Sequence, residues 1–149
     1  MSKSDSGHFN GTNGAKKQLI QELKDSNIKF SEKDMQFITK DKTGQIVWLE
    51  TGNSFSGLTH IVSRHAEDFL NKHGVAQSEL SSHLNRVFTS GDVEYTRTTN
   101  RSGRMGYERL YCYSGKYYLL TGIGTNGYIV SAYPLSEGDA TKLIRRYKK

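Results

Sequence analysis

Two kinds of hydrophobic periodicity divide this chain near residue 91. Before it, apolar residues recur at three- and four-residue steps, the spacing of one face of an α-helix. Leu19, Ile20 and Leu23 mark a short helix over 15–26 with a lysine-rich outer face. Leu58, Ile61, Val62, Ala66 and Phe69 mark a second over 57–69, stopped at Gly74. Leu80, Leu84, Val87 and Phe88 mark a third over 78–89, with Gly91 as its stop. Between the first two helices, runs at 35–40 and 45–50 flank Asp41-Lys42-Thr43-Gly44. This reads as a hairpin whose glycine takes the left-handed turn position.

After residue 91 the pattern becomes that of strands, over 92–99, 105–113, 116–123 and 128–133. Their separators are Asn100-Arg101-Ser102-Gly103, Ser114-Gly115 and Gly124-Thr125-Asn126-Gly127. Short turns between consecutive strands make an antiparallel meander, one face of which needs a cover that the preceding helices can supply. The expected fold is therefore α+β: N-terminal helices and an early hairpin packed on a four-stranded antiparallel sheet. Residues 138–149, with Leu143 and Ile144 among Lys142, Arg145, Arg146, Lys148 and Lys149, read as a short basic helix or tail. Residues 1–14 are rich in Ser, Gly and Asn and read as a flexible leader or linker remnant. The remainder, 15–149, is expected to form one domain.

Composition narrows the function classes. Lys and Arg outnumber Asp and Glu by 21 to 15, for a net charge of +6, an excess that favours a polyanionic partner without naming one. Cys112 is the only cysteine, so neither an internal disulfide nor a zinc ribbon can form. No apolar run approaches the ~18 residues that span a bilayer, and no signal-peptide pattern opens the chain. Membrane insertion is not expected.

The chemistry-bearing stretch is Gly57-Leu58-Thr59-His60-Ile61-Val62-Ser63-Arg64-His65-Ala66-Glu67-Asp68-Phe69. On a helix His65 falls inside the apolar stripe, while His60 and Arg64 lie outside it. A histidine in such a stripe is more often a hydrogen-bonded core residue than a catalyst, and the two readings compete here. A shared metal is disfavoured. The histidines are five apart rather than the four of HExxH and diverge by roughly 140° on a helix, and no third ligand stands at a familiar spacing. No cofactor is implied either: Gly122-Ile123-Gly124-Thr125-Asn126-Gly127 joins two strands, where a phosphate loop needs a strand and a helix. Cys112 lacks a nucleophile signature, and no GxSxG elbow occurs.

Metal-free acid/base chemistry on a polyanion remains. RNA carries its own nucleophile, the 2′-hydroxyl, so cleavage needs a base, an acid and donors for the phosphorane-like charge. His60 and His65 can supply the proton roles. Arg64, Arg101, Arg104 and Lys116 can hold phosphates, although for any single arginine a solvated turn is the commoner reading. Ser131 and Tyr133 alternate with apolar residues, which puts two hydroxyls on one face of the last strand. An ordinary sheet tyrosine is the competing reading of Tyr133.

The His-Ile-x-x-x-His helix ending in Phe, the second helix with its glycine stop, the four strands and the closing Ile129-Val130-Ser131-Ala132-Tyr133-Pro134 resemble the BECR group of toxin ribonucleases. That group includes the barnase, EndoU and colicin-like enzymes and their phage-associated and polymorphic-toxin relatives. The resemblance covers roughly 15–134; its specific pieces are 57–69 and 128–134. It implies a metal-independent endoribonuclease that leaves a 2′,3′-cyclic phosphate, with tRNA the expected substrate. The site residues carried over are His60, His65, Arg64, Ser131 and Tyr133. It implies a C-terminal module of a larger toxin, secreted or delivered into a target-cell cytoplasm in bacterial competition and silenced by an immunity protein. One departure stands out. The final strands carry no glutamate where a barnase-like base belongs, and Glu94 and Glu108 read as poorly placed. The alternative from a different class is a non-catalytic RNA- or DNA-binding module in which both histidines are structural.

Overall fold

The computed structural model describes residues 13–148. Most of the expected leader lies outside these; its last two residues, Asn13 and Gly14, open the first helix. The described residues form an α+β fold: α1 (Asn13–Asp25), a hairpin of β1 (Met35–Lys40) and β2 (Ile46–Glu50), α2 (Gly57–His73), α3 (Leu80–Ser90), then β3 (Asp92–Arg101), β4 (Arg104–Tyr113), β5 (Lys116–Ile123), β6 (Ile129–Leu135) and α4 (Glu137–Tyr147). The last four strands make one antiparallel sheet in chain order, as short turns dictate. The β3–β4 connection is shorter than the expected four residues. Only two join the strands, because Ser102 (φ 55°) and Gly103 (φ 83°) both take left-handed angles and form a tight primed turn. Ser114 (φ 52°) and Gly115 (φ 77°) repeat the device between β4 and β5.

The sheet buries both faces. On one, Tyr107, Tyr111, Tyr118, Leu120 and Ala132 pack with Ile61 and Phe69 of α2, Leu84, Val87 and Phe88 of α3, and Val47 and Leu49 of the hairpin. On the other, Tyr95, Leu110, Leu119 and Leu135 pack with Ala140, Leu143, Ile144 and Tyr147 of α4. The basic C-terminal stretch is thus a helix, not a tail. Ser136 caps it by accepting a hydrogen bond from the Asp139 amide at 3.2 Å. Glu137 and Asp139 occupy its first turn and Arg145 and Arg146 its last, the order that the helix dipole favours. Its Ala140, Leu143, Ile144 and Tyr147 recur at helical spacing, so one stripe covers the sheet and the basic residues face outward.

Glycine ends the two site-proximal helices for different reasons. Gly74 (φ 70°) supplies the left-handed terminus of α2, with its amide donating to the Leu70 carbonyl at 3.0 Å. Gly91 is extended (φ −69°). What requires glycine there is space: a Cβ would sit 2.5 Å from the Val87 carbonyl oxygen.

The hairpin is fastened to the sheet by a buried charge. Asp41, 4 % exposed, accepts hydrogen bonds from Arg109 at 2.8 Å and from the Tyr111 hydroxyl at 2.6 Å. Its other oxygen accepts from the Thr43 amide at 2.9 Å and closes the turn. Removing one partner of such a pair strands a charge in the interior. Asp41→Ala is therefore expected to lower unfolding free energy by about 3–5 kcal/mol, read by urea denaturation.

Candidate functional site

Helix α2 packs against β6, the last strand in the sheet order. Ile61, His65 and Phe69 share one i, i+4 row of that helix. Ile61 and Phe69 are fully buried. Between them the half-buried imidazole of His65 stacks on the ring of Tyr133, with centroids 5.0 Å apart and planes 29° from parallel. His60, one turn earlier, meets His65 edge-on at 6.3 Å. Three of the expected site residues are thus in a continuous ring contact, where the histidine helix meets the sheet.

Alternation along β6 sends Ala132 into the helix-covered core and Tyr133 to the α4 face. Ser131 shares the Tyr133 face. His65 nonetheless reaches Tyr133 because α2 lies against the last strand rather than over the middle of the sheet. A register irregularity between Thr121 and Gly122, opposite Ile129 and Ser131, adjusts β6 at this end.

The two histidines are held differently. His60 Nδ1 donates to the Ser54 carbonyl at 3.0 Å. A carbonyl can only accept, so Nδ1 carries a proton, and Nε2 is the nitrogen left for proton exchange. The segment before α2 that supplies this carbonyl is stiffened by Gly52 (φ 68°) and Gly57 (φ 84°), each with a space too small for a Cβ. His65 Nδ1 is buried without a hydrogen-bond partner; Asp68 Oδ2 lies 3.6 Å away. Burial lowers the His65 pKa below the ordinary 6.5, aided by the positive charges of His60 and Arg64 and opposed by Asp68. His65 is a neutral base-form imidazole at neutral pH.

Strand register adds residues that sequence reasoning passed over. Arg97 pairs with Glu108, Glu108 with Thr121, and Thr121 with Ser131. One polar row therefore crosses all four strands beside the Tyr133 row. Glu108, which the sequence made look poorly placed, is 4 % exposed and central to that row. It accepts from the Tyr95 hydroxyl at 2.7 Å and from Arg97 Nε at 2.9 Å. The available signal was a glutamate in the middle of an apolar strand, Tyr107-Glu108-Arg109-Leu110-Tyr111, where an unpaired charge would not survive. Glu108 also raises the Tyr133 pKa, second to burial and against the pull of Arg101. Tyr133 therefore remains a protonated hydroxyl, a donor. Ser131 Oγ is buried and makes no hydrogen bond.

The expected phosphate ligands separate. Arg64 adjoins His65 on α2, and Arg101 acts on Tyr133. Arg104 pairs with Arg101 across the hairpin end; both line a pocket of about 180 Å³ with Thr99, Tyr107 and Thr121. Lys116 lies apart from Arg101 and Arg104. It follows the far end of β4, whose ten residues extend about 30 Å at ~3.3 Å each. There it shares a different pocket with Lys72 and His73. Among the described residues no group of three or more His, Cys, Asp or Glu side chains is arranged to hold a metal ion, and no helix is long and apolar enough to cross a membrane.

No family model matches this chain, and no curated protein matches it.

Protonation gives a test of these environments. His65 and His83 both have pKa values lowered chiefly by burial. Between those depressed values and 6.5 the unfolded chain binds more protons, so stability present above pH 6.5 is lost as pH falls through the folded-state values. The stability difference between pH 7 and pH 5, measured by urea denaturation, should be smaller in His83→Gln than in the parent. An equal or larger difference would contradict the assignment.

Proposed function

We propose that this chain is a metal-independent endoribonuclease that cleaves RNA by attack of the 2′-hydroxyl, leaving a 2′,3′-cyclic phosphate. The observation carrying this reading is the contact series His60–His65–Tyr133, two imidazoles and a phenol at one rim of a basic sheet. A domain that only binds RNA has no use for paired titratable rings, one hydrogen-bonded to a backbone carbonyl and the other buried without a partner. His65, kept neutral by burial, takes the proton from the 2′-hydroxyl. His60, entering as the imidazolium with its second proton on Nε2, gives that proton to the leaving 5′-oxygen while its Nδ1–H stays on the Ser54 carbonyl. Tyr133 and Ser131 donate to the non-bridging oxygens, and Arg64, Arg101 and Arg104 supply positive charge around them. Glu108 fixes Arg97 and keeps the Tyr133 proton in place rather than serving as the base.

The fold reading that goes with this function is BECR-like, with the cleft at the α2–β6 junction. By the same resemblance the chain is a toxin module of a larger delivered protein. It acts on RNA, with tRNA the first substrate to test, in a target-cell cytoplasm and is silenced by a cognate immunity protein.

Incubation of the pure chain with total RNA in EDTA, resolved on a denaturing gel, tests the reading directly. His60→Ala and His65→Ala should each lower cleavage by about 100-fold or more. His60→Ala should keep a native circular dichroism spectrum, whereas His65→Ala should lose some stability with its half-buried ring. Wild-type activity in both variants would place the chemistry elsewhere.

The pH profile of kcat/KM is a second check. Its acid limb should fall at a pKa below 6.5, because protonated His65 cannot accept the 2′-hydroxyl proton. An acid limb above 6.5 would remove His65 from the base role.

A further inference from the structure

Phe55 is 82 % exposed, more than any other large hydrophobic residue of the described chain. Its backbone is not free to bury it. The Asn53 side-chain oxygen accepts from the Phe55 amide at 2.8 Å and from the Ser56 amide at 3.2 Å, and the Asn53 amide donates to the Ser56 carbonyl at 2.9 Å. The Ser56 hydroxyl bonds Tyr128 at 2.7 Å, and the Thr59 amide donates to the Thr51 carbonyl at 2.9 Å. Gly52 and Gly57 close the segment so tightly that a Cβ on Gly52 would lie 2.0 Å from the Ser56 carbonyl oxygen. A rigid loop thus holds a phenyl ring out in water, at the cost of the hydrophobic gain its burial would bring.

The position of that ring is informative. Phe55 follows Ser54, whose carbonyl holds His60 at 3.0 Å. The segment that orients the proposed acid therefore also displays the ring. Its neighbours Thr51, Gly52, Asn53 and Ser54 are exposed and polar or small, and no acidic side chain lies within 51–56. A protein-docking anchor normally stands within an apolar patch with a surrounding seal. A base needs only one aromatic face and tolerates polar surroundings.

The geometry points to Phe55 as a stacking platform for an unpaired base beside the scissile phosphate, which makes single-stranded RNA, or a loop of a folded one, the substrate class. This rests on the ribonuclease reading and adds the conformation of the RNA to it. Every base has a stacking face, so the platform selects for unpaired nucleotides rather than for sequence.

The test uses a fluorescein-labelled, fully 2′-O-methylated single-stranded oligonucleotide, which cannot be cleaved, with binding read by anisotropy. Phe55→Ala should weaken binding about 10-fold without lowering the thermal midpoint, and Phe55→Tyr should restore it. In the parent, one abasic nucleotide along the strand should reproduce the loss. In Phe55→Ala the same abasic position should cost nothing further. Phe55→Ala binding within twofold of the parent, in a chain that still cleaves total RNA, would overturn the platform and leave the ribonuclease reading standing; Phe55 would then belong to a protein-docking surface. A parent that neither binds the oligonucleotide nor cleaves RNA would overturn both.

Discussion

Strand β4 carries a buried charge on each face of the sheet, and the rest of the fold is arranged to neutralise them. An ion withdrawn from water costs several kcal/mol unless a partner and hydrogen bonds meet it. Arg109, on the helix face, is met by Asp41 from the hairpin turn. Glu108, on the α4 face, is met by Arg97 and the Tyr95 hydroxyl. The Arg97 guanidinium then lies 4.2 Å from the Tyr147 ring centroid of α4, so the second pair helps to seat the last helix. Apolar area supplies the driving force on both faces, but it would tolerate sliding. The two charge pairs fix which hairpin, which strand and which helix meet.

That constraint explains what could be read in advance. Periodicity alone recovers Ile20, Leu23, Ile61, Phe69, Leu80, Leu84, Val87 and Phe88 as core, because a helix repeats locally and its buried stripe is written in neighbouring residues. The meander is legible for the same reason: its turns carry Ser-Gly and Gly-rich signatures. Glu108 was not legible. Its environment is set by strand register, and the residues that satisfy it lie 11 and 13 positions away in the chain. Asp41 and Arg109 are 68 residues apart, and no local pattern joins them.

The candidate site divides along the same line. His60 and His65 stand out in the sequence as a pair on one helix, and the alternation of Ser131 and Tyr133 comes from strand geometry. That His65 should touch Tyr133 depends on where α2 docks, against the last strand of the sheet, which sequence spacing does not encode. Lys116 shows the converse: a lysine in a basic chain looks like a companion of Arg101 and Arg104 until strand length sets it at the opposite end of β4 from them.

One backbone contact between the two sheets carries a further consequence. Trp48 of β2 and Tyr128 form an isolated parallel bridge, with the Trp48 amide donating to the Gly127 carbonyl at 3.0 Å. A Cβ on Gly127 would lie 1.7 Å from the Ile46 carbonyl oxygen, so only glycine admits this approach. β6 ends the sheet and would otherwise offer a row of unpaired amides and carbonyls to any extended chain it meets. The hairpin occupies the entrance to that row, and α2 lies along the remainder of the strand. A foreign strand, or a second copy of this domain, finds no ladder there to extend. The close approach that admits one hydrogen bond thus also helps to close the β6 edge to strand addition.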